Sequence, residues 1–184
     1  MSAEGFTVAA SRVAYEGDLS TVRVDTVVMP DGGRADREIV EHPSAVAVVA
    51  VDDAGRVMLL RQYRHPARQR FLELPAGKLD ADGETPEETA RRELAEEVGL
   101  AADTLRELVT FHNSSGWTDE RTTVYLAAGL REVAAPDGFT PHAEEADMEV
   151  LRVPFEEALA QARAGEITDA KTLIGLLLAA GRAP

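Results

Sequence analysis

The stretch from Glu84 to Leu100 reads ETPEETARRELAEEVGL and contains the clearest helix of the chain. Thr85 is followed three residues later by Glu88, the arrangement of a capping box, and a proline occupies the first helical position. Gly99 is a natural C-terminal stop. Apolar side chains recur every four residues, as expected of a helix with one buried face: Ala90, Leu94 and Val98. The sequence therefore predicts a capped, amphipathic helix here.

The polar side of this helix carries three glutamates, Glu93, Glu96 and Glu97. Spacings of three and four residues place their carboxylates on one face, where like charges repel. A hard cation such as Mg²⁺ or Mn²⁺ would relieve that repulsion. Taken alone, the pattern is more typical of an ordinary solvated helix, because nearby arginines offer ion pairs one turn away. The context favours a site, since a strand ending in Leu74-Pro75-Ala76-Gly77 and a loop lead directly into the helix.

The combined segment resembles the Nudix box, G-x5-E-x7-R-E-U-x-E-E-x-G-U, in which U is a large aliphatic residue. Gly77 opens it, Glu84 supplies the first glutamate, and the run from Arg92 to Leu100 completes it. Six residues rather than five separate Gly77 from Glu84, an insertion that a loop tolerates and that leaves the helix register intact. The resemblance implies an α+β fold, an α/β/α sandwich with a mixed central sheet, and metal-dependent hydrolysis of a nucleoside diphosphate linked to another group.

The resemblance also implies roles for individual residues. Glu93 and Glu97 would be the core metal ligands, with Glu96 and the backbone carbonyl of Ala76 as further ligands. Arg92 would orient the glutamates, and Glu84 would be structural or would support the metal ligands through hydrogen bonds. The implied cation is Mg²⁺, with Mn²⁺ possible.

Outside the box, the chain resembles the ADP-ribose pyrophosphatase branch of the family, particularly its actinobacterial members. The segments that carry this resemblance are Gln62-Tyr63-Arg64, residues 72–77, residues 37–42 and residues 144–148. The branch implies ADP-ribose as the small-molecule nucleotide substrate, with AMP and ribose 5-phosphate as products. Ser115 stands where many members have proline, so another nucleoside diphosphate sugar such as GDP-mannose, or a ligand sensor that does not hydrolyse, remains an alternative.

The branch further implies a general base and two phosphate contacts. Glu145 would activate the attacking water, with Glu144 in reserve; without the resemblance, their loop is an ordinary solvated acidic loop. Arg37 and Arg64 would hold the phosphates or the terminal ribose, because the guanidinium fork binds phosphate oxygens at two points. Strand-edge salt bridges are the alternative. Trp117, the one tryptophan, would line the substrate site or serve packing or a dimer contact.

Two domains are expected: a small antiparallel sheet over residues 1–43 and a catalytic domain over residues 44–184. Within the second, AVAVVAV from Ala45 and RVMLLRQY from Arg56 are predicted to form a hairpin, and two helices are predicted over 155–164 and 169–180. The N-terminal strands are too few for a stable sheet alone. Relatives of this branch are homodimers in which that sheet packs on the partner or is swapped with it, so a homodimer is expected, with Arg37 near the partner's active site.

Composition limits the possible partners and location. The 184 residues carry a formal net charge of −14, which argues against a broad nucleic-acid surface. No apolar run is long enough to span a bilayer, and no signal peptide is recognised. The chain has no cysteine, which excludes thiolate metal sites and fits a reducing cytoplasm. Its four histidines lack zinc-ligand spacing, so we expect them to be structural.

Overall fold

The computed structural model describes residues 5–81, 83–134 and 147–183. It divides into two compact units. The first contains the described residues up to Ser44 together with His112–Arg121, and the second contains those of Ala45–Phe111 and from Thr122 onward.

The first unit is a three-stranded antiparallel sheet. Its strands are β1 (Thr7–Glu16), β2 (Thr21–Val28) and β3 (Arg34–Glu41), in the order β1-β2-β3. The β2–β3 turn is closed by a hydrogen bond from the N–H of Met29 to the carbonyl of Gly33, and Gly32 has a φ of 83°. All ten residues of β1 are exposed. The predicted N-terminal antiparallel sheet is therefore confirmed.

The second unit contains two sheets. The first is mixed, in the order β7-β4-β9-β8, with β4 parallel to β9 and antiparallel to β7. Its strands are β4 (Ala45–Ala50), β7 (Ala76–Lys78), β8 (Leu100–His112) and β9 (Arg121–Glu132). The second is antiparallel, in the order β10-β5-β6, with strands β5 (Arg56–Arg64), β6 (Gln69–Glu73) and β10 (Glu149–Pro154).

The predicted hairpin of β4 and β5 is wrong. The two strands are joined by a tight turn, in which Asp52 accepts backbone hydrogen bonds from Ala54 and Arg56, but only a single bridge, Val51 to Val57, links them. Both edges of β4 are already paired, with β7 and with β9. β5 therefore diverges into the second sheet.

The mixed sheet lies between two helical layers. Alternate residues of β4 point to opposite faces: Val46 and Val48 join the core that contains Ala90 and Leu94 of α1 (Pro86–Val98), whereas Val49 joins a second core. The second core contains residues of α2 (Phe155–Ala164) and α3 (Ala170–Ala179). The predicted α/β/α arrangement is confirmed. Among the described residues, no helix is long and apolar enough to cross a membrane.

The helix predicted within Glu84–Leu100 begins and ends where the sequence indicates. The Thr85 hydroxyl accepts a hydrogen bond from the N–H of Glu88, and the Glu88 carboxylate accepts one from the N–H of Thr85. Gly99 closes α1 in the left-handed conformation, with a φ of 66°. These contacts fix where α1 begins and ends, and therefore which way its glutamates point.

Candidate functional site

The acidic face of α1 lies against the short strand β7. The Glu97 carboxylate accepts a hydrogen bond of 2.8 Å from the N–H of Ala76. The Glu93 carboxylate lies directly over Gly77, where a Cβ atom would be 2.0 Å from its Oε1. The sequence predicted that Pro75-Ala76-Gly77 ends a strand, with Gly77 opening the Nudix box and the Ala76 carbonyl as an implied ligand. In the structure these residues lead into a strand that pairs with β4 and holds the glutamates.

Arg92 links the glutamates to one another. Its Nη1 donates to Glu93 at 2.7 Å and to Glu96 at 3.1 Å, and its Nε donates to both oxygens of Glu84 at 3.2 Å. The Thr89 hydroxyl donates to Glu84 as well. Burial lowers the pKa of Arg92, but the surrounding carboxylates outweigh burial and raise it. The roles expected of Arg92 and Glu84 are consistent with these contacts.

The negative charge of Glu93 is only partly balanced by the positive charge of Arg92. Its side chain is 12% exposed, and burial raises its pKa to about 7, with repulsion from Glu96 and Asp80 adding to the rise and Arg92 opposing it. A cation placed near Glu93 would favour the charged form. The donor set, which consists of carboxylate and carbonyl oxygens, fits a hard divalent cation.

Two further observations bear on that fit. The space over Gly77 accommodates the Glu93 carboxylate only because no side chain is present there. Within the described ranges, no three His, Asp or Glu side chains are already grouped as metal ligands. The contacts above give the reason: Glu93 and Glu96 bond to Arg92, whereas Glu97 bonds to the Ala76 N–H. Cation binding would therefore replace contacts of Arg92.

Arg64 forms an ion pair, the alternative that the sequence offered to a phosphate contact, although the sequence did not identify its partner. Its Nε and Nη2 donate to the two oxygens of Glu73 at 2.8 and 2.7 Å. Lys171 also donates to Glu73. The signal available in the sequence was an acidic residue between leucines, in Leu72-Glu73-Leu74, which indicates a charge facing the interior.

The remaining predicted residues lie elsewhere or outside the described ranges. Arg37, on β3 of the first unit, is exposed and donates to the carbonyl of Asp36. Trp117 belongs to the same unit and is 58% exposed. Glu144 and Glu145 lie outside the described residues.

Comparisons with known proteins identify the family of this chain. Residues 41–173 match the NUDIX domain, and residues 6–40 match the nucleoside diphosphate sugar hydrolase N-terminal domain. An ADP-ribose pyrophosphatase of Mycobacterium tuberculosis is 45% identical over 177 residues, which cover 96% of this chain and 84% of the relative. One from Bacillus subtilis is 39% identical over 171 residues, which cover 93% and 90%.

A solved structure described as an ADP compounds hydrolase shares the fold. It superposes with a TM-score of 0.82 at 22% identity, covering 99% of this chain and 96% of the other. The motif, the contacts of α1 with β7 and the matches over most of the sequence lead to one conclusion: the chain belongs to the Nudix hydrolase family.

Proposed function

We propose that this Nudix hydrolase cleaves the diphosphate of ADP-ribose and releases AMP and ribose 5-phosphate. The observation that carries the proposal is the contact of Glu93 and Glu97 with the Ala76–Gly77 strand, in a chain 45% identical to an ADP-ribose pyrophosphatase. The match of residues 6–40 to a nucleoside diphosphate sugar hydrolase N-terminal domain supports the same substrate class.

The residues that would hold the cation are Glu93, Glu96 and Glu97, with the backbone carbonyl of Ala76. Mg²⁺ fits these hard oxygen donors, and Mn²⁺ would be accepted as well. When bound, the cation supplies charge neutralisation and Lewis-acid polarisation of the diphosphate. Such help is needed because both the substrate and the chain, at −14, are negatively charged.

The chain's own side chains would position the reactants. Arg92 bonds to Glu93 and Glu96 and limits the directions in which these carboxylates point. Arg64 and Arg37 would contact the phosphates or the terminal ribose. Glu145, or Glu144 in its place, would accept the proton of the attacking water. The water oxygen bonds to one phosphorus, the bridging P–O bond breaks, and the other phosphate leaves with the electron pair.

The first unit supports a homodimer. β1 is exposed along its whole length, and large apolar side chains on and beside it are open to solvent: Phe6, Val8, Val13, Tyr15 and Leu19. An open edge strand presents unpaired backbone groups that can pair with another chain, and contiguous exposed apolar side chains mark sites of protein–protein contact. We therefore propose that a second copy covers β1 and that Arg37 lies near the partner's active site.

A substrate panel tests the function. The purified protein is incubated with ADP-ribose, GDP-mannose and other nucleoside diphosphate sugars, with Mg²⁺, with Mn²⁺ or with EDTA, and products are identified by ion-exchange chromatography and ³¹P NMR. AMP and ribose 5-phosphate should form fastest from ADP-ribose, and only with a cation. Faster cleavage of GDP-mannose would reassign the substrate, and binding without any product would indicate a sensor.

A further inference from the structure

Glu73 is a charged carboxylate in the interior of the second unit. It ends β6 and is only 1% exposed. Burial acts to raise its pKa, but hydrogen bonding to Arg64 and the charge of Lys171 outweigh burial, so the pKa is lowered. Apolar side chains of similar size often stabilise an interior as well as a buried ion pair does. Stability alone is therefore a weak reason for a charge at this position.

Arg64 contacts Glu73 with one edge of its guanidinium group. The two hydrogen bonds, from Nε and Nη2, fix the plane of the guanidinium. Because the group is planar, its other edge is directed away from Glu73, and the side chain is 43% exposed. Hydrogen bonding to Glu73 is the main cause of the raised pKa of Arg64, and the charge of Glu97 contributes. Arg64 therefore presents one guanidinium edge to Glu73 and leaves the rest of the group partly exposed.

Lys171, in the first turn of α3, also binds the Glu73 carboxylate. Its Nζ lies 2.5 Å from Oε2 of Glu73 and 2.9 Å from Oδ1 of Asp169. Asp169 also caps α3 by accepting a hydrogen bond from the N–H of Thr172. Glu73 therefore has both oxygens occupied, and its orientation is set by the start of α3.

Residues 74–76, which directly follow Glu73, contact both α3 and one of the candidate metal ligands. The N–H of Leu74 donates to the buried hydroxyl of Thr172 at 2.8 Å, which attaches the segment to α3. Two residues later, Ala76 donates to Glu97 on α1. Residues 74–76 therefore connect Glu73, which binds Arg64, to the carboxylate of Glu97 on α1.

We propose that Glu73 and Lys171 are positioning residues that hold the Arg64 guanidinium with its open edge toward a substrate phosphate. The inference rests on the proposed function only in that Arg64 contacts a diphosphate. Glu73 and Lys171 themselves touch neither the substrate nor the cation. Their effect on binding passes through Arg64.

A double-mutant cycle tests this dependence. The four proteins are the parent, Glu73→Gln, Arg64→Ala and the double variant, and the ligand is inorganic pyrophosphate with Mg²⁺, followed by isothermal titration calorimetry. Pyrophosphate is common to all nucleoside diphosphate substrates, so the test does not depend on the sugar or base. Arg64→Ala should weaken binding about tenfold, since a charge-assisted contact is lost. Glu73→Gln should weaken it roughly fivefold in the parent and less than about twofold in the Arg64→Ala background.

A steady-state measurement and a matched control accompany the cycle. With the hydrolysed nucleotide sugar, Glu73→Gln should raise KM and leave kcat close to the parent value, because it removes uniform binding. Asp52→Asn is the control, since Asp52 pairs with Arg56 through Nε and Nη2 in a surface turn. It should leave both constants unchanged. If Glu73→Gln fails to fold by circular dichroism, Glu73→Gln combined with Lys171→Met replaces it in the cycle.

The outcomes separate this proposal from the proposed function. An equal effect of Glu73→Gln in both backgrounds would assign it a structural role and overturn the proposal. The proposal would also be overturned if Arg64→Ala left pyrophosphate binding unchanged, or if the parent did not bind pyrophosphate. If the effects of Glu73→Gln and Arg64→Ala on pyrophosphate binding are not additive, the positioning role holds. If the same protein does not hydrolyse ADP-ribose, only the proposed substrate is rejected.

Discussion

The carboxylate of Glu93 occupies the space that a side chain at Gly77 would fill. A Cβ atom on Gly77 would lie 2.0 Å from both Cδ and Oε1 of Glu93. Real Cβ atoms do not approach other atoms so closely, so any side chain at Gly77 must displace the carboxylate or the strand. The glycine that opens the Nudix box is therefore a packing requirement of the glutamate that follows it by sixteen residues.

Gly77→Ala should lower kcat/KM by roughly 100-fold, because a displacement of about 1 Å at a catalytic ligand has an effect of this size. Gly116→Ala is the matched control, since a Cβ there meets nothing within 4 Å. Hydrolysis rates and thermal unfolding are measured for both variants. Full activity of Gly77→Ala would show that Glu93 is not required in the position that the structure gives it.

Glu97→Gln should reduce turnover by about 1,000-fold while the fold persists, since loss of one anionic ligand removes several kcal/mol of metal-assisted stabilisation. The glutamine carbonyl can still accept the Ala76 N–H, which preserves the contact with β7. Glu87→Gln is the control on the same helix, because Glu87 pairs with Arg91 on the exposed side. Magnesium titrations and circular dichroism accompany the assay. Equal turnover in Glu97→Gln and the parent would refute the metal site.

Glu145→Gln should lower kcat by roughly 100-fold or more and change KM little, as expected for loss of a general base. Glu144→Gln should have a much smaller effect. Both residues lie outside the described ranges, so steady-state kinetics must decide between them. The reverse ranking would assign the role to Glu144. Near-normal kcat in both variants would place the base elsewhere or show that the reaction needs no side-chain base.

Val13→Lys should dissociate the proposed homodimer, because it places a charge on the exposed apolar strand β1. Activity should fall with dissociation if Arg37 contributes to the partner's site. Val150→Lys, at a comparably exposed valine of β10, is the control and should remain dimeric. Sedimentation velocity at micromolar concentration measures both variants. A parent protein that sediments as a fully active monomer would contradict the proposal.

Glu73 should make the protein more stable at neutral pH than at acid pH. Its folded-state pKa is lowered from 4.5, so its stabilisation is present above pH 4.5 and is lost as the pH falls through the folded-state value. The difference in unfolding free energy between the parent and Glu73→Gln should therefore be largest near neutral pH and should shrink below pH 4.5. Urea unfolding across this range measures it. A difference that is independent of pH would mean that Glu73 is not charged in the folded protein.

The sequence by itself determined α1 and the face on which its glutamates lie. The capping contacts of Thr85 with Glu88, the stop at Gly99 and the three- and four-residue spacing of the carboxylates depend on residues within one or two helical turns. Such local interactions can be deduced from the order of residues alone. The N-terminal sheet is predicted on a similar basis, because turn residues mark the bounds of its strands.

Only the tertiary structure decided which strands pair and what the glutamates contact. β4 and β5 adjoin in the chain, yet they join different sheets because β7 and β9 occupy both edges of β4. The contact of Lys171 with Glu73 joins residues 98 positions apart. Contacts of this kind depend on the competition among distant segments for the same edges and charges, which no short stretch of sequence encodes.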